Sequence, residues 1–87
     1  MSKAVETCKS MLEMRKIAYI SGKLGIHQVI VAYEPDNTVK TPSYRYKYAY
    51  YFTEDGEKIV DYQPISHIIE DELITNLEEL FEILSEE

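Results

Sequence analysis

Hydrophobic positions near the start of the chain recur at three- and four-residue spacing. Ala4, Val5, Cys8, Met11 and Leu12 fall on one side of a helix, and Lys3, Glu6, Lys9, Glu13 and Lys16 fall largely on the other. Ser2 stands where an N-cap is needed. From Ile17 the pattern changes: Ile17–Ile20 and Ile26–Tyr33 are rich in β-branched and aromatic residues and read as strands. Ser21-Gly22-Lys23-Leu24-Gly25 reads as the turn between them. Glu34-Pro35-Asp36-Asn37 is a turn cluster that ends the second strand, and residues up to Ser43 extend it into a long polar loop, a candidate contact loop.

The segment from Ser43 to Thr53 alternates with period two. Tyr44, Tyr46, Tyr48, Tyr50 and Phe52 are expected on one face of a strand, with Arg45, Lys47, Ala49, Tyr51 and Thr53 on the other. Thr53-Glu54-Asp55-Gly56-Glu57 turns the chain into a fourth strand, Lys58–Gln63. Two registers are open. A two-residue Asp55-Gly56 turn pairs Tyr50 with Asp61 and Phe52 with Ile59. A three-residue loop with Gly56 left-handed pairs Tyr50 with Val60 and Tyr48 with Tyr62. The second is the better apolar match, because it puts Val60 and Tyr62 on the tyrosine face and Asp61 on the other.

Pro64 is expected to close that strand, and Ile65, Ile68, Ile69 and Leu73 suggest a short helix from Ser66. A last helix is clearer: Thr75 or Asn76 caps it, Glu78 or Glu79 completes a capping box, and Leu77, Leu80, Phe81 and Leu84 form its buried stripe. The layout is α+β: an N-terminal helix, a four-stranded antiparallel meander, and one or two C-terminal helices. The simplest packing lays the helices on one sheet face and leaves the other open. At 87 residues and 10.2 kDa, residues 1–87 make a single small domain with a thin core, expected to expose roughly 5,300 Å² when folded.

Charge divides the chain. Residues 1–50 carry eight basic side chains against four acidic ones, whereas residues 51–87 carry Lys58 alone against twelve acids. The net charge of −7 argues against a protein that holds nucleic acid by bulk positive charge. The single cysteine, Cys8, cannot form an internal disulfide and reads as a buried, inert thiol. No apolar run approaches the roughly 18 residues of a membrane span, and the opening residues lack a signal-peptide pattern, so a cytoplasmic protein is expected.

Catalytic chemistry is poorly represented. The Gly22–Gly25 segment fails the spacing of a phosphate-binding loop, and His27 and His67 sit in no metal-ligand spacing. No catalytic residue, metal or cofactor is assigned, and the chain is not expected to be an enzyme. Two surfaces could bind a partner. Glu70, Asp71, Glu72, Glu78, Glu79 and Glu82 form a one-signed acidic region, where an ordinary exposed helix would mix Lys with Glu. Tyr44, Arg45, Tyr46, Lys47 and Tyr48 interleave aromatic and basic residues, as surfaces that stack single-stranded bases do.

The favoured expectation is a small interaction protein, an inhibitor or regulator whose acidic surface meets a basic surface on another protein. In size, charge and α+β layout it resembles the compact acidic inhibitors made by phages and mobile elements, DNA mimics among them, although no motif is shared residue by residue. The alternatives are a single-stranded nucleic-acid-binding module on the tyrosine strand, and a homo-oligomer, a homodimer for example, that packs that strand across a symmetry axis.

Overall fold

Four consecutive apolar residues, Val29-Ile30-Val31-Ala32, are all buried, and that run sets the architecture. A strand whose successive side chains point to opposite faces can bury all four only if both faces are covered. In the computed structural model, which describes residues 3–36 and 42–86, they lie in β2 (His27–Asp36). The strand belongs to a four-stranded antiparallel meander of order β1-β2-β3-β4, with β1 at Ala18–Leu24, β3 at Ser43–Phe52 and β4 at Ile59–Glu70. Helix α1 (Lys3–Met14) covers one face, where Val5, Cys8 and Leu12 meet Ile30, Ala32 and Phe52. Helix α2 (Leu77–Ser85) covers the other, where Leu77 and Leu80 meet Ile20, Val29, Val31, Tyr46 and Ala49. The α+β meander is as expected, but the helices sit on opposite faces. A doubly apolar central strand leaves no open face beneath them.

Both ends of α1 are closed by backbone chemistry. The Gly56 carbonyl accepts from the amides of Ala4 and Val5, both at 3.1 Å, so the β3–β4 turn caps this helix. The expected cap, Ser2, lies outside the described residues. At the other end the Ile17 amide donates to Leu12 O and the Lys16 amide to Glu13 O, a Schellman closure with Lys16 at φ 58° where glycine is usual.

Strand β1 runs on through Ser21–Leu24, residues expected to turn, and the hairpin is instead the two-residue loop Gly25-Ile26, closed by the Leu24–His27 pair. Gly25, at φ 66°, supplies the left-handed first position of a tight hairpin. Gly22 remains in the strand because α2 lies against it: a Cβ there would stand 3.1 Å from Leu77 Cδ1. Glu34, Pro35 and Asp36 likewise belong to β2, paired with Arg45, Tyr44 and Ser43. The expected long loop is therefore shorter, and its residues 37–41 lie outside the described residues.

The tyrosine stripe is broken by a bulge. Ala32 pairs with Tyr48 but Tyr33 pairs with Tyr46, leaving Lys47 as the extra residue. Tyr44 and Tyr46 therefore face α2, while Tyr48, Tyr50 and Phe52 face α1. The β3–β4 register is also new: Tyr50 pairs with Tyr62, two residues from the favoured pairing, and a second bulge at Val60 restores Phe52–Ile59. A two-residue offset preserves the face, so Tyr62 joins the tyrosines on the α1 side and Asp61 lies opposite Tyr51 on the other, as expected. Gly56 is left-handed at φ 75°, also as expected, within a longer turn that Asp55 braces by accepting from Thr53 Oγ1 and the Glu57 amide.

Pro64 does not close β4, and no helix starts at Ser66. Lacking an N–H, proline is tolerated on an outer strand, and β4 continues to Glu70 past a third irregularity around Ile65 and Ser66. The surface area, 5828 Å², exceeds that expected of a compact chain of this mass, in keeping with the long exposed β4.

After β4 the chain crosses to the α2 face. The hydroxyl of fully buried Tyr46 donates to Ile74 O at 3.0 Å and accepts from Ile74 N at 2.9 Å. Asn76 then caps α2 by accepting from the Glu79 amide at 3.0 Å. Replacing Tyr46 by Phe strands two buried backbone groups, and the expected loss is about 2–4 kcal/mol in urea unfolding. A loss within experimental error would remove the hydroxyl from the account. Lys16→Gly relieves a left-handed φ and is expected to stabilise by about 1 kcal/mol, read as a rise of about 5 °C in Tm. A lower Tm would contradict the closure described.

Candidate functional site

The six acidic candidates are exposed and stand at one end of the chain path. Glu70 ends β4, Asp71 and Glu72 lie in the connection, and Glu78, Glu79 and Glu82 are on α2. Helical spacing aligns Glu82 with both Glu78 and Glu79 on the side away from Leu77 and Leu80. Asp71 is left-handed at φ 74°, and its amide donates to Pro42 O at 2.7 Å, fixing the turn that carries Glu70–Glu72. Among the described residues no ion pair joins these six carboxylates to a cation, and no Lys or Arg follows Lys58 in the sequence.

The aromatic candidates are not brought together. Tyr46 is fully buried and Tyr44 packs beside it, while Tyr48 points to the opposite face because Lys47 is bulged. Lys47 pairs with Glu34 at 3.2 Å, which offsets its charge, and Arg45 stands between Glu34 and Ile68 in the register. A continuous stacking platform over Tyr44–Tyr48 is thereby lost.

A different aromatic group takes its place. Tyr48, Tyr50 and Tyr62 have ring centroids 5.2–5.7 Å apart on the α1 side, with Tyr62 half-exposed. Ile59 and Val60, at the start of β4, are exposed. Burial pushes the Tyr50 hydroxyl up to about 12, with smaller contributions from Tyr48, Cys8 and Tyr62. Burial also raises the Cys8 thiol, which keeps it protonated and inert.

A groove missed by sequence reasoning runs between α2 and β4. It measures about 360 Å³, and Tyr51, Ile65, His67, Phe81 and Leu84 are among the residues that line it. The available signal was the alternation of Ile65, His67 and Ile69, which a helical reading of that segment concealed. His27 is elsewhere, its Nδ1 3.0 Å from Phe52 O. Among the described residues no three His, Cys, Asp or Glu side chains are placed to hold a metal ion, and no helix is long and apolar enough to cross a membrane.

Compared with family models, curated proteins and solved structures, the chain matches none. Its chemistry is therefore read from its own surfaces, their charge and their apolar grooves.

The tyrosine group has a pH consequence. Tyr50 ionises near 12 in the fold and near 10 in the unfolded chain, so the unfolded state loses its proton first. The stability this group contributes is complete below about pH 10 and is lost as pH rises towards about 12. Burial raises Tyr46 and Tyr51 in the same direction. The urea midpoint is expected to fall between about pH 9 and about pH 11.5, and to fall less in Tyr50→Phe. Equal pH dependence in the two proteins would contradict the assignment to Tyr50.

Proposed function

We propose that this protein is a small protein-interaction module, an inhibitor or regulator that docks its acidic α2 end on a basic surface of a macromolecular partner. The observation that carries the reading is the one-signed outer side of α2, where Glu78, Glu79 and Glu82 are exposed and unaccompanied by Lys or Arg. Such a surface costs stability through self-repulsion, and the acids at Glu78 and Glu79 recover part of that cost against the positive end of the helix dipole. Glu82 lies beyond the first turn, where the dipole no longer accounts for it.

The fold presents these carboxylates on a clamped element, since Tyr46 and Asn76 hold the approach to α2. Spaced carboxylates on a rigid helix resemble a short run of phosphates, so the fitting partner is a protein with a groove built for nucleic acid. Charge of this kind steers encounter and rejects acidic partners.

The test is affinity capture from lysate of the encoding cell, comparing the wild type with the triple variant Glu78→Gln, Glu79→Gln, Glu82→Gln. The reading expects a retained protein with a basic surface, released by salt of about 0.5 M, where the Debye length falls to a few ångströms. It expects at least about tenfold less retention by the variant, equivalent to 1.4 kcal/mol. Equal retention by both proteins, undiminished by that salt, would overturn it.

A further inference from the structure

The groove between α2 and β4 exists because α2 leans towards the far side of the sheet. Leu77 presses on Gly22 of β1, so the helix does not fully cover β4 at the opposite edge. Between them lies an apolar floor made by Tyr51, Ile65, Phe81 and Leu84, with the Tyr51 and Phe81 rings 6.0 Å apart. Its volume, about 360 Å³, lies at the low end of the roughly 300–1,000 Å³ typical of binding pockets, enough for one or two side chains.

Outside the residues that line it, carboxylates stand on both elements that flank the groove. Asp61 stands in β4 opposite Tyr51, exposed, its carboxylate accepting from the Tyr62 amide and Gln63 Nε2, each at 2.8 Å. A rotation of about 100° per residue places Glu78 and Ser85 beside Phe81 on the β4 side of α2, with Glu82 one step outward. No Lys or Arg occurs in β4 or α2, and the titratable side chains lining the groove are His67 and Tyr51. Strand addition to β4 is disfavoured: Pro64 has no N–H to offer, and the irregularities at Val60 and around Ser66 interrupt the ladder. A partner in the groove would therefore be met through its side chains.

We propose that this groove is an anchor pocket for a basic segment of a partner protein, taking one aromatic or aliphatic side chain while flanking Lys or Arg residues meet Asp61, Glu78 and Glu82. This rests on the acidic-surface reading above and deepens it, since it supplies the apolar contact that charge alone lacks. A buried anchor ringed by polar contacts is where binding energy concentrates in protein interfaces.

The probe is a phage-displayed library of random peptides selected on the immobilised full chain, followed by fluorescence anisotropy with the most enriched peptide. The enriched peptides are expected to share an aromatic or aliphatic residue flanked by Lys or Arg. Phe81→Ala should weaken the peptide at least about tenfold, and so should Ser85→Arg. Ser85 is exposed at the groove wall, so the second variant tests the site even if the first fails to fold. Glu78→Gln with Glu82→Gln should weaken binding several-fold, whereas Glu6→Gln on the opposite face should leave it unchanged.

Enrichment of neutral or acidic peptides, or binding indifferent to Ser85→Arg, would overturn the proposal. So would a dimer in light scattering that Ser85→Arg dissolves, since the occupant would then be a second copy. If the lysate partner is lost with the triple glutamine variant but kept by Ser85→Arg, the groove fails while the acidic reading stands. If neither variant affects that partner, both fail.

Discussion

The hydroxyl of Tyr46 is the contact on which the rest of the arrangement turns. It is fully buried, and it satisfies both the amide and the carbonyl of Ile74, 28 residues further along the chain. Without it, two backbone groups would lie in the apolar layer beneath α2 with nothing to bond. With it, a segment outside any helix or strand can enter the core, carry Ile74 with it, and start α2 at a fixed place on the sheet. A phenylalanine would fill the same space and leave the crossing unsatisfied. The tyrosine is thus explained by its polar tip, in the middle of a core that otherwise favours aliphatic residues.

The bulge at Lys47 makes that contact compatible with the other face. One extra residue in β3 turns Tyr44 and Tyr46 towards α2 while Tyr48 and Tyr50 remain against α1. The apolar supply of a single strand is thereby shared between two helices. The register with β2 shifts by one residue only after Ala32, so the doubly buried run Val29–Ala32 stays evenly paired with Tyr51–Tyr48 and can serve as the common wall of both cores.

Element type was legible along most of the chain. The periodicity of Val5, Cys8 and Leu12 and the capping of α2 by Asn76 follow from local side-chain chemistry, and both appear in the fold. What sequence pattern could not show was decided by neighbours. A bulge leaves no mark in an alternating pattern, so Tyr46 and Tyr48 looked equivalent. Pro64 reads as a terminator until the strand carrying it is known to be an edge. The segment 65–70 fits helical spacing at Ile65, Ile68 and Ile69 as well as strand alternation, and pairing with β3 selected the strand. The four-residue apolar run of β2 carried the signal of cover on both faces, which the expectation of one open face passed over, and it is the clearest signal to carry to similar chains. Of the candidate surfaces, the exposure of the acidic residues was legible because charge needs no pairing partner to be exposed. The groove was not, because it is made by two elements whose relative placement depends on the Tyr46–Ile74 contact.

Function on this account depends on α2 being a fixed platform. Its carboxylates and the groove at its flank can select a basic partner only if the helix does not wander from the sheet. Native-state hydrogen exchange at the Ile74 amide tests this most directly. The account expects that amide to exchange as slowly as those of Val29–Ala32, opening only with global unfolding. Exchange at the rate of a frayed terminus, with β2 still protected, would show that α2 is loosely held and would contradict the account.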